Sequence, residues 1–308
     1  APERTDVISL PGDDAAILAM GEDWQVVTTD HLRAFTEDPV TMTRIAATHA
    51  MGDVWAMGAR PQAALATVIL PRMSAAMAEA TLAEILDTAS AAFRAEGADL
   101  VGGHTSYGTE MTVGFTVTGL SGVFPVTLGG GRPGDMLILT KPLGSGTILA
   151  AEMQGKAAGP DVAAALATMA KSQGPALPLL AAAHAMTDVT GFGLAGHLLA
   201  LCDASGTGAE LRLADIPLMA GAEALARRGV ASTLAPANRA ATDGRLSDPG
   251  EKDGARLALL HDPQTAGGLL AAVPPEQALR LVQALREAGL PAACIGRLTD
   301  GPAAVTLR

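Results

Sequence analysis

Cysteine is scarce. The 308 residues hold two, Cys202 and Cys294, in no CxxC or CxxxC spacing. That excludes a disulfide framework and a Cys-rich zinc site, and it predicts a chain at home in a reducing cytoplasm. Basic residues are in deficit as well: 21 Lys and Arg stand against 32 Asp and Glu, a formal net charge of −11. No Lys/Arg cluster breaks this balance, so no nucleic-acid partner is expected. An acidic protein that binds a polyphosphate must bring metal cations to it. Long apolar runs are missing; the stretch 176–187 is interrupted by Pro178 and His184. Neither a membrane span nor a signal peptide is predicted. Aromatic residues make up 3%. Among motifs, no GxxxxGK[ST], GxSxG or HxxxH occurs, which leaves Walker-type phosphate binding, a serine nucleophile and helical zinc without support, and neither GGHTSYG nor KPLGSG is a GxGxxG dinucleotide fingerprint.

What is present is a chain that is 49% apolar and rich in small residues, long enough for two cores. Close helix–sheet packing and a layered α/β structure follow. Strands are predicted at 15–19, 25–29, 64–70 and 111–118, the last with Val113, Phe115 and Val117 on one face. Helices are predicted at 39–58 and 75–96, stopped by Gly58 and Gly97. ADLVGG reads as a short strand running into a glycine turn. This β-α-β-α-β-β order predicts an α+β sandwich with its helices on one face. A Gly/Pro-rich stretch, TLGGGRPGD, then precedes a strand at 136–140. The expected domains are therefore 1–122 and 123–308. In the second, Ala-rich helices are predicted at 161–172, 175–185, 191–203, 217–228 and 275–288. The polar segment 231–255 reads as a lid or an exposed loop.

Aspartates stand in settings unusual for surface residues: Asp13 and Asp14 in GDDAA, Asp30 at a strand end, Asp53 inside an apolar helix, and Asp188 before TGFG. Each alone is compatible with a helix cap or an exposed carboxylate. Asp188 in particular reads as the cap of the helix that follows it. Together they are what a hard cation such as Mg²⁺ needs, since Mg²⁺ prefers oxygen ligands and is often shared with phosphates. Two glycine turns after strands, GGHTSYG (102–108) and KPLGSG (141–146), could admit phosphates. Lys141 reads either as a phosphate ligand or as an ordinary strand-end lysine. His104 is the histidine singled out, because of its glycine setting.

The motifs GDDAA, TTD, RIAATHAMGDVWAMGARP, GGHT, LTKPLGSG, AMTDVTGFGLAGH and HDPQTAGGLL, in this order, resemble selenophosphate synthetase (selenide, water dikinase). The resemblance runs from about residue 12 to the end. The first three motifs are shared with a wider superfamily that includes aminoimidazole ribonucleotide synthetase, thiamine-monophosphate kinase and the hydrogenase maturation dehydratase. TDVTGFGLAGH with DPQTAGGLL is the more diagnostic pair. The resemblance implies a two-domain aminoimidazole ribonucleotide synthetase-like fold: an N-terminal ferredoxin-like sheet domain that forms a dimer barrel, and a C-terminal α/β domain. It implies a reaction in which ATP, selenide and water give selenophosphate, orthophosphate and AMP, for selenocysteine or selenouridine biosynthesis. It also implies Mg²⁺ on Asp14, Asp53 and Asp188, an ATP contact by Asp30 through metal, and a segment Gly103, His104 and Thr105 that reaches ATP from the partner subunit of a homodimer.

The sequence departs from the family pattern in three places. Only eleven residues precede Gly12, and they contain neither the family's catalytic Cys nor its Lys; no catalytic residue is therefore assigned. His49 stands where the family helix usually has Asn, and GGHTSYG is shorter than the usual loop and lacks its Asp. Placement as the C-terminal part of a fusion protein accounts for the first departure. The alternative is a nucleotide-binding paralogue or truncated domain inactive alone. The hydrogenase maturation reading is disfavoured because the chain ends VTLR without that family's C-terminal cysteine.

Overall fold

The structure, a computed structural model, describes residues 4–8, 12–247 and 254–308. The chain forms two compact units. One runs up to Pro125 and takes in Ala170–Gly174; the other comprises Val126–Met169 and Pro175–Arg308.

The first unit is a five-stranded sheet with two helices. In chain order it has β1 (Ala16–Met20), β2 (Asp23–Arg33), α1 (Pro39–Ala56), β3 (Arg60–Pro71), α2 (Ala75–Ala95), β4 (Asp99–Gly108) and β5 (Thr112–Ser121). The sheet order is β1-β2-β5-β3-β4. All neighbours are antiparallel except β3 and β4, which the α2 crossover makes parallel. The helix limits follow from local chemistry. Asp38 caps α1 by accepting the Val40 and Thr41 N–H groups at 3.2 and 3.0 Å, with Pro39 in the first turn. Ser74 caps α2 through Met77 N–H. Left-handed glycines, Gly58 (φ 67°) and Gly97 (φ 80°), end them. In α2 the buried positions Ala78, Ile85, Ala89 and Phe93 form one stripe. Phe93 meets Phe115 edge-on at 5.0 Å. β3 alternates strictly enough to separate two faces: Ala64, Ala66, Val68 and Leu70 are buried, while Leu65 and Thr67 are exposed.

The expected glycine turn at 102–108 is instead the body of β4. The strand pairs with β3 as far as Pro71 opposite Gly108, with a register shift opposite Val101. The glycines serve close approach: a Cβ on Gly103 would lie 2.1 Å from Ala66 O, at φ +154°. This is the use of strand glycine at a bulge.

The second unit is a seven-stranded mixed sheet wrapped by helices. Its elements are β6 (Met136–Leu139), α3 (Ser145–Met153), α4 (Gly159–Met169), α5 (Leu177–Leu180), β7 (Ala185–Asp188), α6 (Gly193–Ser205), β8 (Gly208–Leu211), α7 (Ala222–Arg227), α8 (Ala235–Ala241), β9 (Leu246–Ser247), α9 (Gly254–Leu259), β10 (Leu269–Val273), α10 (Pro275–Glu287), β11 (Ala293–Thr299) and β12 (Val305–Leu307). The order is β7-β10-β6-β11-β8-β12-β9. Its core joins Leu137, Leu139, Leu198, Leu201, Leu211, Leu270 and Ile295.

Three sequence expectations change here. The helix at 175–185 shrinks to the single turn α5, because Ala185 opens a strand buried along its whole length. The helix at 217–228 shrinks to α7: Leu218 bridges Leu143, and Gly221 turns the chain at φ 79°. The polar segment 231–255 contains α8 and β9; its residues 248–253 lie outside the described ones. Among the described residues no helix is long and apolar enough to cross a membrane.

Candidate functional site

In the first unit, two of the singled-out aspartates come together. Asp14 precedes β1 and Asp53 projects from the last turns of α1. Carboxylate oxygens of the two lie within 4.8 Å of each other, and both residues are half-buried. Thr28 of β2 donates its hydroxyl proton to Asp53 Oδ2, which fixes that carboxylate's orientation. Two carboxylates at this range repel unless a cation or proton lies between them. The oxygen-only donor set suits a hard divalent ion. Asp30 is on the same face of β2 as Thr28, two residues on, and is also half-buried. Its strand runs past it to Arg33 rather than ending there.

Gly103, His104 and Thr105 lie elsewhere. They are exposed on edge strand β4, opposite Ala66, Thr67 and Val68. Three strand spacings, about 14 Å, separate β4 from β2. Within one first unit, therefore, these residues do not join Asp30.

In the second unit, Asp188 is the last residue of β7, paired with Leu269 of β10 and only 3% exposed. It does not cap α6. Phe192 occupies the N-cap position, with no side-chain hydrogen bond there. The three intervening residues Val189–Gly191 form a turn that other groups hold. Val189 N–H donates to Gly268 O at 2.8 Å, and Gln264 N–H to Thr190 O at 2.9 Å. Asn238 donates to Gly191 O and His261 O at 2.9 and 3.0 Å. A Cβ on Gly267 would meet Val189 O at 1.8 Å, so only glycine lets these loops touch.

The KPLGSG and HDPQTAGG motifs interlock. Gln264 Oε1 accepts from Gly144 N, Ser145 N and Ser145 Oγ, while Gln264 Nε2 donates to Asp262. Thr147 Oγ1 donates to Asp262 Oδ1 at 2.8 Å. Burial pushes Asp262 up to about 6, against the hydrogen bonds that pull it down. Lys141 is not a phosphate ligand. It is 1% exposed, and its Nζ donates to Ala266 O and Met169 O at 2.8 and 3.2 Å. The Ala266 carbonyl belongs to a non-glycine residue at φ 47°, so the ammonium helps to hold a left-handed backbone.

Neither cysteine is an activated thiol. Burial raises Cys202 to about 11 and also raises Cys294. Of the histidines, His197 is buried against the Asp188 turn, and desolvation lowers it to about 4, so the ring is neutral. Asn238, in the middle of α8, is missed by sequence reasoning and carries no local signal; Asp262 and Gln264 stand in the HDPQTAGGLL motif, but the sequence assigns them no role.

Residues 12–121 match the AIR synthase related protein N-terminal domain and residues 132–307 its C-terminal domain. The chain is 38% identical over 302 residues to a selenide, water dikinase of Burkholderia pseudomallei (strain K96243), covering 95% of this chain and 84% of that protein. Among solved structures, a Thermus thermophilus protein matches with a TM-score of 0.76 at 23% identity, over 100% of this chain and 92% of the other. Thiamine monophosphate kinase from Aquifex aeolicus matches at 0.71 and 18%, over 96% and 90%. Those two likenesses show the fold, whereas the identity to the dikinase over nearly the whole chain shows the family. The chain belongs to the selenide, water dikinase family of phosphotransferases, built on the two-domain AIR synthase-related fold.

Proposed function

We propose that this chain makes selenophosphate from ATP, selenide and water, releasing AMP and orthophosphate, in the cytoplasm and in support of selenocysteine or selenouridine synthesis. The observation that carries the reading is the Asp14–Asp53 carboxylate pair, oriented by Thr28, in a chain of this family. In the proposal Asp14, Asp53 and Asp188 hold Mg²⁺, and Asp30 contacts ATP through the metal. Magnesium, when bound, supplies charge neutralisation to phosphate oxygens. The protein's own part is then positioning: Thr28 orients Asp53, and the interlocked second-unit loops hold Asp188 at the end of β7. Selenide is a strong nucleophile and needs no potent base. The site must instead keep water from the phosphoryl group until the selenide has reacted, since the single water is spent in the later, hydrolytic step.

A homodimer is part of the proposal, with Gly103, His104 and Thr105 serving the partner's ATP. Edge strand β4 and the outer face of β3 support it. They expose Leu65, Val101 and Tyr107 (47, 63 and 61%), an apolar edge that a lone monomer would have to leave in water.

The test is anaerobic ³¹P NMR of the protein with ATP, Mg²⁺ and selenide. A selenophosphate resonance growing with AMP, and lost in Asp53→Asn and Asp188→Asn, is expected. Intact ATP and no new resonance would overturn the reading.

A further inference from the structure

One side chain grips both shoulders of the turn that carries Asp188. His197, one helical turn into α6, places Nε2 3.1 Å from Thr190 N–H and 3.3 Å from Thr190 Oγ1. Its Nδ1 lies 3.4 Å from Thr187 Oγ1. A backbone N–H can only donate, so Nε2 must carry the lone pair and Nδ1 the proton. The Thr187 hydroxyl gives its own proton to Asp188 O at 3.1 Å, which leaves its oxygen to accept from Nδ1–H. Donor and acceptor roles therefore agree in a single tautomer. Phe192 lies over the ring, centroids 5.8 Å apart, and a Cβ on Gly196 would meet the Phe192 Cβ at 2.8 Å. The aromatic cover thus depends on a glycine in the first turn of α6.

Thr187 and Thr190 flank Asp188 at one residue before and two after. Bridging them fixes the backbone torsions from which the Asp188 carboxylate projects. We propose that His197, as its Nδ1–H tautomer, is a positioning residue that aims Asp188 at the bound cation. This rests on the reading of Asp188 as a magnesium ligand. It is the logic by which partners behind a metal ligand set its direction, and their loss typically costs about 10- to 100-fold in metal affinity.

The test uses three variants that separate shape from hydrogen bonding. His197→Gln carries an acceptor to the Nε2 position, His197→Asn reaches only the Nδ1 position, and His197→Phe keeps the ring without either. Calorimetry with a non-hydrolysable ATP analogue gives the Mg²⁺ concentration for half-maximal binding. The expected result is a rise of about 10- to 100-fold for Asn and Phe, with Gln returning most of it. Nitrogen chemical shifts of the His197 ring in the wild-type protein report the tautomer directly. An Nε2–H ring would overturn the proposal, as would Asn and Phe variants with a wild-type Mg²⁺ requirement. If the Phe variant fails to fold, the Asn–Gln comparison carries the decision. Asp188→Asn distinguishes the layers. If it leaves the Mg²⁺ requirement unchanged, the ligand reading itself falls. If it raises the requirement while the His197 variants do not, only the positioning role falls.

Discussion

Two buried groups in the second unit should tilt its stability in opposite directions over one pH range. Folded His197 titrates at about 4 instead of 6.5. Between those values the unfolded chain binds its proton and the folded chain does not. Its contribution is whole above pH 6.5 and lost as pH falls through about 4. Folded Asp262 titrates at about 6 instead of 3.8. There the folded chain holds a proton that the unfolded chain lacks. Its contribution is whole below pH 3.8 and lost as pH rises through about 6. Each shift exceeds two pH units, so each is worth about 3 kcal/mol, and the two nearly cancel in the wild type. Single variants unmask them. From pH 4 to 6.5, Asp262→Asn should gain about 3 kcal/mol of unfolding free energy relative to the wild type, and His197→Gln should lose about as much. His261, lowered by burial, is common to all three proteins and drops out of the differences. The assay must watch the right unit. Both tryptophans, Trp24 and Trp55, belong to the first, so fluorescence is blind here. Hydrogen exchange of the β7 and β10 amides, measured without metal, reports the second. Stability curves for the three proteins that stay parallel from pH 4 to 6.5 would refute the reasoning.

Three further outcomes are expected. Thr28→Val removes the donor that orients Asp53 and should raise the Mg²⁺ needed for nucleotide binding roughly 10-fold while the melting temperature moves little; an unchanged Mg²⁺ titration would count against the Asp53 assignment. Gly103→Ala puts a methyl 2.1 Å from Ala66 O at φ +154°, so it should destabilise the first unit by about 3 kcal/mol and speed exchange of the β4 amides; a wild-type denaturation midpoint would contradict the close packing of β4 on β3. Leu65→Glu together with Tyr107→Glu charges the outer sheet face, and sedimentation should show a monomer where the wild type sediments as a dimer; two identical profiles would rule that face out as the interface.

The first unit is largely legible in the sequence because its signals are local. Glycines sit one or two residues beyond the helix ends, Asp38 and Ser74 are ordinary caps, and β5 alternates cleanly from Val113 to Val117. β4 is the exception, because Gly102 and Gly103 look the same to a sequence reader whether they turn a chain or press it against Ala66. The second unit is harder. Its strands are short and buried on both faces, so β7 and β10 show no alternation that separates them from a buried helix. Asp188 stands out as a carboxylate but not as a strand end, because, His197 apart, the contacts that hold its turn come from residues 50 to 80 positions later, Asn238 through Gly268. Lys141 is the same lesson in reverse. Its ammonium faces two backbone carbonyls, and nothing in KPLGSG announces them.

The five residues Ala170–Gly174 belong to the first unit although 44 residues of the second, Val126–Met169, separate them from it. Thr48 of α1 donates its hydroxyl proton to the Ala170 carbonyl at 3.3 Å. During synthesis the first unit is therefore incomplete when Pro125 emerges, and it waits for a stretch made after the second unit has begun. Its folding is not strictly vectorial. A protein cut after Pro125 should leave the groove between α1 and α2, lined by Arg44, Thr48, Met51 and Glu96, without the strap that the intact chain lays there. The segment works as a delayed fastener, coupling completion of the first unit to the growth of the second.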